Sequence, residues 1–463
     1  MKKYYVGILI PLLGVMPINK NLINKNEENA FENQQIIDIS AGGHHSGTII
    51  DTDNNGYADT LYMWGNNYVG QIGNGRSGGI VESPEKIDFD WNGNLINLEL
   101  GVIHSGLTVD SDYDGYADTL YMWGYNFDGE IGNGTWGDQN ISKIPEKITP
   151  QGQDDWGGNI IDLSLSALNS GVTIDTNYDG YADTLYMWGK DNVGQIGNGS
   201  SDNLMKIYPT LIFPEIDDWN GNLIDLNLDG YHSGLTVDSD YDGYADTLYM
   251  WGDNGDGQIG NNTFDIIYSP EIINPVDSNW NGNIIDFDLG ENSTGVTIDT
   301  DYNGYADTLY IWGNNFYGQT GNGISGYDYD NFPTPTKTEY DFKGNLIDLS
   351  LGGSHVSITI DSNYDGYADT LYVWGYNNEG QIGNNKEGVS ELEDTPIIIT
   401  PVDQINWSGN IVELSLGFNT TMISVDQNND QIADSIWMWG QNTFSEAGQD
   451  GSISKVLTPQ KLI

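Results

Sequence analysis

Short runs that alternate apolar and polar residues recur along the chain, separated by glycine-rich stretches. NLIDLNL, starting at Asn222, alternates in the manner of a half-buried strand. SGLTVD and TLYMWG follow it and read as two more strands, rich in β-branched and aromatic residues. A segment around PEII, introduced by Pro270, makes a fourth, outer strand. In TLYMWG, Leu248 and Met250 point to one face of the sheet, Tyr249 and Trp251 to the other. Both faces are apolar, as a sheet packed between two neighbours requires, whereas a sheet with one wet face would alternate. No segment carries the 3.6-residue period of an amphipathic helix.

The pattern repeats. Trp-Gly occurs at Trp64, Trp123, Trp188, Trp251, Trp312, Trp374 and Trp439, at intervals of 59 to 65 residues. Seven units of four antiparallel strands predict an all-β fold, a seven-bladed β-propeller spanning 36–463 as one domain. Length alone would suggest about three domains, a prior that a closed repeat array overrides. Gly252, Gly257 and Gly260 allow tight turns and close backbone approach between blades. The array starts near IIDIS and ends at TPQKLI. The final strand therefore either completes its own blade or pairs with the first strand; the sequence leaves both open.

The stretch WGNNYVGQIGNG after Trp64 and its counterparts, together with Gly42, Gly43 and His45-Ser46 or Gly230 and His232-Ser233, resembles the regulator of chromosome condensation repeat. That resemblance covers all seven units and implies a seven-bladed propeller. The histidine position reads as Asn169, Asn292 and Asn419 in three units, and Ser445 replaces a glycine in the seventh. The units are longer than the family's, through an acidic hairpin and a WNGN-type insertion near Trp91, Trp219 and Trp280. The family's founding member activates a GTPase on chromatin. Other relatives are plain binding modules, and one secreted bacterial group inhibits β-lactamases through an aromatic-rich face.

The acidic hairpin lies between the second and third strands of every unit. In the fourth it offers Asp238, Asp240, Asp242 and Asp246 at loop positions 1, 3, 5 and 9, with Gly243 at position 6 and a backbone carbonyl at 7. The counterparts are Asp51, Asp53, Asn55 and Asp59; Asp110, Asp112, Asp114 and Asp118; and Asp175, Asn177, Asp179 and Asp183. Then come Asp299, Asp301, Asn303 and Asp307; Asp361, Asn363, Asp365 and Asp369; and Asp426, Asn428, Asp430 and Asp434. Hard oxygen ligands at alternate positions, with glycine at the sharp turn, are the pattern by which EF-hand loops hold calcium. The last carboxylate comes at 9 rather than 12, so the loop instead resembles the calcium hairpin of integrin-type FG-GAP repeats. Up to seven structural calcium ions are expected. The competing account is a metal-free Asx-turn hairpin, which does not explain why like charges crowd seven times over without a cation. Only the seventh loop lacks the turn glycine, having Gln431.

Charge and composition narrow the function. Sixty-eight acidic residues stand against 15 basic ones, a net charge of −53. Such a surface repels phosphate, which argues against nucleic acid, anionic membrane and a chromatin-bound exchange role. With no cysteine, stability must come from packing or metal. Lys2 and Lys3 followed by the apolar run 6–18 read as a secretory signal peptide at 1–18, cleaved or retained as an anchor, with a polar lead-in at 19–35. The chain is thus expected to be secreted or at the cell surface, monomeric, and without other membrane insertion. His45, His104, His232 and His355 occupy equivalent repeat positions and suit structural hydrogen bonds; no catalytic constellation stands out. The expected function is binding a protein on one propeller face, through variable stretches such as 323–340 and 386–395. The alternatives are an inhibitor of a secreted enzyme, needing an exposed aromatic cluster on one rim, and a hydrolase or lyase, needing a channel cluster that breaks the sevenfold pattern.

Overall fold

Each apolar-faced strand satisfies its backbone by pairing with the next strand in sequence, so every repeat folds into its own twisted sheet. The computed structural model describes residues 34–200, 204–214, 219–275, 280–326, 331–388, 390–402, 407–449 and 451–462. The signal expected at 1–18, and the lead-in at 19–35 apart from Gln34 and Gln35, lie outside them. The described residues form seven four-stranded antiparallel sheets in simple sequence order, and no helix. The blades occupy 35–86, 94–148, 159–212, 222–273, 283–332, 345–399 and 410–461.

The first strands, such as Gln35–Ala41, Asn222–Asp229 and Asn410–Leu416, lie side by side around the centre. Each bulges after its second residue, at Ile37 or Ile224 for example. The simple alternation expected for NLIDLNL therefore holds only beyond the bulge. The bulge re-aims the following carboxylate. Asp38 accepts the backbone amide of Leu98 in the next blade at 2.7 Å, and Asp162 that of Leu226 at 2.9 Å. The channel carboxylates thus serve blade joining.

Second and third strands carry the core. All seven Trp-Gly tryptophans are fully buried. Each indole N–H donates across to the preceding blade, as Trp123 does to the Gln71 carbonyl at 2.8 Å and Trp251 to that of Gln195 at 2.9 Å. The WNGN-type tryptophans, read from sequence as part of an insertion, are core residues too. Trp91 packs 6.2 Å from Trp123, and Trp219 6.5 Å from Trp251.

Two further expectations change. Pro270 stands inside the outer strand Ile267–Ile273, at a register shift opposite Trp251, and does not open it. Proline lacks a ladder donor and is tolerated at such an edge bulge. At the histidine position, strand register puts Ser293 opposite Gly313 and Thr420 opposite Gly440, so Asn292 and Asn419 belong to the preceding turns. Asn169 does occupy the histidine place. The four histidines link blades: His45 Nε2 lies 2.8 Å from Ser105 Oγ and His104 Nε2 3.0 Å from Ser170 Oγ.

The open question of closure is answered by complete blades. Lys455–Lys461 pairs within the seventh blade, and the ring joins where the Ile36 amide donates to the Ala433 carbonyl at 3.0 Å. The other six seams repeat this bond, as in Leu95 to Ala58 at 2.9 Å.

Candidate metal loops and an aromatic opposite face

The acidic hairpins all project from one end of the propeller, since each joins a second strand to a third. Position 1 is the last residue of the second strand and is fully buried in all seven: Asp51, Asp110, Asp175, Asp238, Asp299, Asp361 and Asp426. Its Oδ2 accepts the backbone amide of position 6, at 2.6 Å from Gly56 and 2.9 Å from Gly243. Positions 4 and 6 both take left-handed backbone, as in Tyr241 (φ 63°) and Gly243 (φ 95°), which curls the loop around its own carboxylates.

In four loops the carboxylates of positions 1, 3 and 9 bring oxygens within 4.8 Å of one another: Asp51, Asp53 and Asp59; Asp110, Asp112 and Asp118; Asp238, Asp240 and Asp246; Asp299, Asp301 and Asp307. Among the described residues no basic side chain forms an ion pair with any of these twelve. The other three loops place an amide at position 3, Asn177, Asn363 or Asn428, so their carboxylates are Asp175, Asp179 and Asp183; Asp361, Asp365 and Asp369; and Asp426, Asp430 and Asp434.

Position 5 behaves differently. Asn55, Asp114, Asp179, Asp242, Asn303, Asp365 and Asp430 each turn one oxygen onto the backbone amide of position 7, at 2.8 to 3.0 Å. Position 9 also accepts hydroxyl hydrogen bonds; Asp118 takes those of Ser111 and Thr119, both at 2.6 Å. The hairpins therefore have their own Asx-turn hydrogen bonds, and four also gather three carboxylates. The seventh keeps the left-handed turn at Gln431 (φ 76°), and Lys461 donates to Gln427 Oε1 at 3.0 Å and interacts with Asp434.

Position 8 was not singled out in the sequence. It is the buried alanine of the seam bond: Ala58, Ala117, Ala182, Ala245, Ala306, Ala368 and Ala433. Each hairpin therefore carries, just before its last carboxylate, the residue that joins its blade to the next. The five position-4 tyrosines, including Tyr113 and Tyr364, are about two-thirds exposed. Their left-handed backbone is uncommon for a bulky side chain, so no propensity pattern marks them.

The opposite end carries the turns between first and second strands and the loops after Trp-Gly. Here Tyr68, Phe127, Tyr231 and Phe418 are exposed, and Phe444 packs 5.2 Å from His44. The stretches 323–326, 331–340, 386–388 and 390–395 fall within or after these loops. Several buried carboxyls belong to this end, Glu130 and Glu446 among them. Burial pushes Glu130 and Glu446 up to about 7. Both replace the glutamine of the Gly-Gln motif, seen at Gln71 and Gln195.

No family model matches the chain. Over 431 residues it is 24% identical to the Ultraviolet-B receptor UVR8 of Arabidopsis thaliana, covering 91% of this chain and 80% of that protein. It is 23% identical to the mitochondrial RCC1 domain-containing protein RUG3 of Arabidopsis thaliana, covering 86% and 96%. Among solved structures, yeast RCC1 (Prp20) bound to Kap60 superposes with a TM-score of 0.65 at 14% identity, covering 98% of this chain and 91% of that one. Human WBSCR16 superposes with a TM-score of 0.68 at 17% identity, covering 88% and 94%. Seven repeats with their Trp-Gly and Gly-Gln loops, one sheet per repeat and these relatives agree: the chain is a seven-bladed β-propeller of RCC1-like repeats.

Proposed function

We propose that this chain is a calcium-stabilised, secreted or surface-held interaction module that binds a protein partner on the face opposite its acidic hairpins. One observation carries the interaction reading. The strands, seams and hairpins repeat around the ring, while the loops of the opposite face differ from blade to blade and hold exposed aromatics, Tyr68 and Phe127 after Trp-Gly and Phe418 in a turn between first and second strands. Aromatic side chains bury large area at low entropic cost and are enriched at interface centres. Yeast RCC1 (Prp20), whose fold this chain shares, is solved bound to Kap60.

The calcium part rests on the convergent oxygens and on the charge. Seven divalent ions would offset fourteen of the 53 net negative charges. They would bind at the hairpins that carry the seam alanines, where an ion tightens blade-to-blade closure. The excess of carboxylates favours an environment where millimolar calcium is available.

The exposed aromatics on this face also favour a narrower second reading, an inhibitor of a secreted enzyme such as a β-lactamase. The test is binding of candidate extracellular proteins to the purified chain in millimolar calcium, with a variant in which Tyr68, Phe127 and Phe418 are replaced by serine. Binding that is lost in the variant supports the reading. Binding untouched by the replacement, or mapped to the hairpin face, overturns it. Inhibition assays on the same samples separate the inhibitor from the plain module.

A further inference from the structure

The opposite face departs from sevenfold repetition between blades five, six and seven. A cavity of about 460 Å³ opens there, walled by Phe316, Tyr317, Tyr376 and Phe418 and edged by Glu291 and Glu379. Tyr317 lies 4.3 Å from Tyr376 with the rings tilted at 44°, and Phe316 stands perpendicular to Tyr317 at 4.9 Å. The Phe418 ring lies over Gly353, where a Cβ would meet its carbon atoms at 3.1 Å.

The equivalent places elsewhere lack this chemistry. The seam position held by Tyr317 and Tyr376 is filled by Asp128 and Lys190 between blades two and three, as an ion pair at 3.2 Å. The turn position of Glu291 is Gly43, Val102, Ala167, Gly230, Gly353 or Phe418 in the other blades. A side chain placed once in seven, with no part in the repeating seams, is free to serve a ligand.

We infer that this pocket between blades five, six and seven binds an organic cation, a guanidinium or alkylammonium group. Tilted aromatic faces present their negative quadrupole to a cation, and they form a corner rather than the flat platform that suits a sugar ring. Two carboxylates line the cavity, and among the described residues no basic side chain does. Among the described residues Glu291 makes no ion pair. Glu379 already draws an internal ammonium: Lys455 Nζ lies 3.5 Å from its Oε2 and donates to the Asn378 carbonyl at 2.7 Å. The amide floor is engaged within itself, Asn314 Oδ1 accepting from the Phe316 amide at 3.0 Å and Gln319 Oε1 from the Tyr317 amide at 2.9 Å. Charge and ring faces are therefore what the pocket offers a guest. This assignment deepens the interaction reading, since such a cation comes either as a free amine or as an arginine or lysine of a protein partner.

The test uses the full chain carrying 3-fluorotyrosine, in millimolar calcium and about 0.15 M salt, where distant charges are screened. Tyr317→Phe and Tyr376→Phe assign the two fluorine signals. Titration with tetramethylammonium or N-acetylarginine amide is expected to shift both signals saturably, while the uncharged N-acetylcitrulline amide shifts neither. Glu291→Gln with Glu379→Gln should weaken the response about tenfold or more, with the circular dichroism of the fold unchanged. Saturation by tetramethylammonium marks a small-molecule cation site; saturation only by N-acetylarginine amide marks a protein side chain; both support the assignment. An equal response to citrulline, a response to cellobiose alone, no response, or an unchanged response in the double variant overturns it. No partner is needed for this titration, so the pocket can fail while the interaction reading stands.

Discussion

Glu413 Oε2 accepts the backbone amide of Ile39 at 3.0 Å, joining residues 374 apart in the chain. It is the closing member of the channel belt in which each blade's first strand grips the next. Burial in the channel pushes this carboxyl well above the usual range, and Asp38, which also hydrogen-bonds to it, and Asp348 push it further; the Ile39 amide pulls the other way. A folded value above the unfolded one means the group's contribution is complete below about 4.5 and is lost as pH rises through the folded value. Glu413→Gln is therefore expected to flatten the fall of melting temperature with rising pH, measured at saturating calcium. An unchanged pH profile would remove Glu413 from the closing seam's pH response.

Glu130 and Glu446 offer a second pH effect on the opposite face. Burial is the main cause of their rise to about 7. Among the described residues one oxygen of each has no hydrogen-bond partner, whereas a glutamine nitrogen at the same place can donate, as Gln195 Nε2 does to Asn192 Oδ1 at 3.1 Å. Their contribution is full below about 4.5 and fades as pH rises through about 7. Glu130→Gln and Glu446→Gln should each stabilise the chain at pH 8 by on the order of 1–3 kcal/mol and change little at pH 4.5. Denaturant unfolding at the two pH values checks this.

Calcium removal should lower the melting temperature sharply and reversibly. At about ten times the dissociation constant, each site contributes roughly 1.4 kcal/mol, so seven approach on the order of 10 kcal/mol, comparable to a domain's net stability. Asp118→Ala should reduce the number of ions bound in equilibrium dialysis by one. Asp434→Ala should matter less, because its loop lacks the turn glycine and already interacts with Lys461. Identical melting with and without chelator would sink the calcium reading.

Two glycine replacements separate packing from backbone strain. A Cβ at Gly260 (φ 88°) would sit 2.5 Å from Trp312 Nε1, the donor to the Gln258 carbonyl; at Gly56 (φ 93°) it would meet nothing within 4 Å. Gly56→Ala should cost about 1 kcal/mol, the price of left-handed backbone alone. Gly260→Ala should cost roughly 2–4 kcal/mol, since overpacking a rigid seam adds to the strain. Equal losses in chemical denaturation would refute the packing role of the indole seam.

Strand identity, repeat number and the hairpins were legible because each depends on local chemistry repeated seven times. Apolar residues on both faces of TLYMWG demanded neighbours on both sides, and Asp-rich turns after SGLTVD marked the loops. What escaped was set by register and by distant chain. The bulge at Ile224 shifts the side-chain phase by one residue, so the aim of Asp225 does not follow from alternation. Trp91 and Trp219 looked like part of an insertion because the indoles they pack on belong to the next blade.

The sequence by itself determined the sevenfold propeller, since hydrophobic period and turn residues act within a few positions of where they stand. Only the tertiary structure decided how the ring closes, that the hairpin alanines are its seams, and that Glu291, Tyr317, Tyr376 and Phe418 share one pocket. Those four come from three different repeats. Their meeting follows from blade packing, which no pattern within a single repeat encodes.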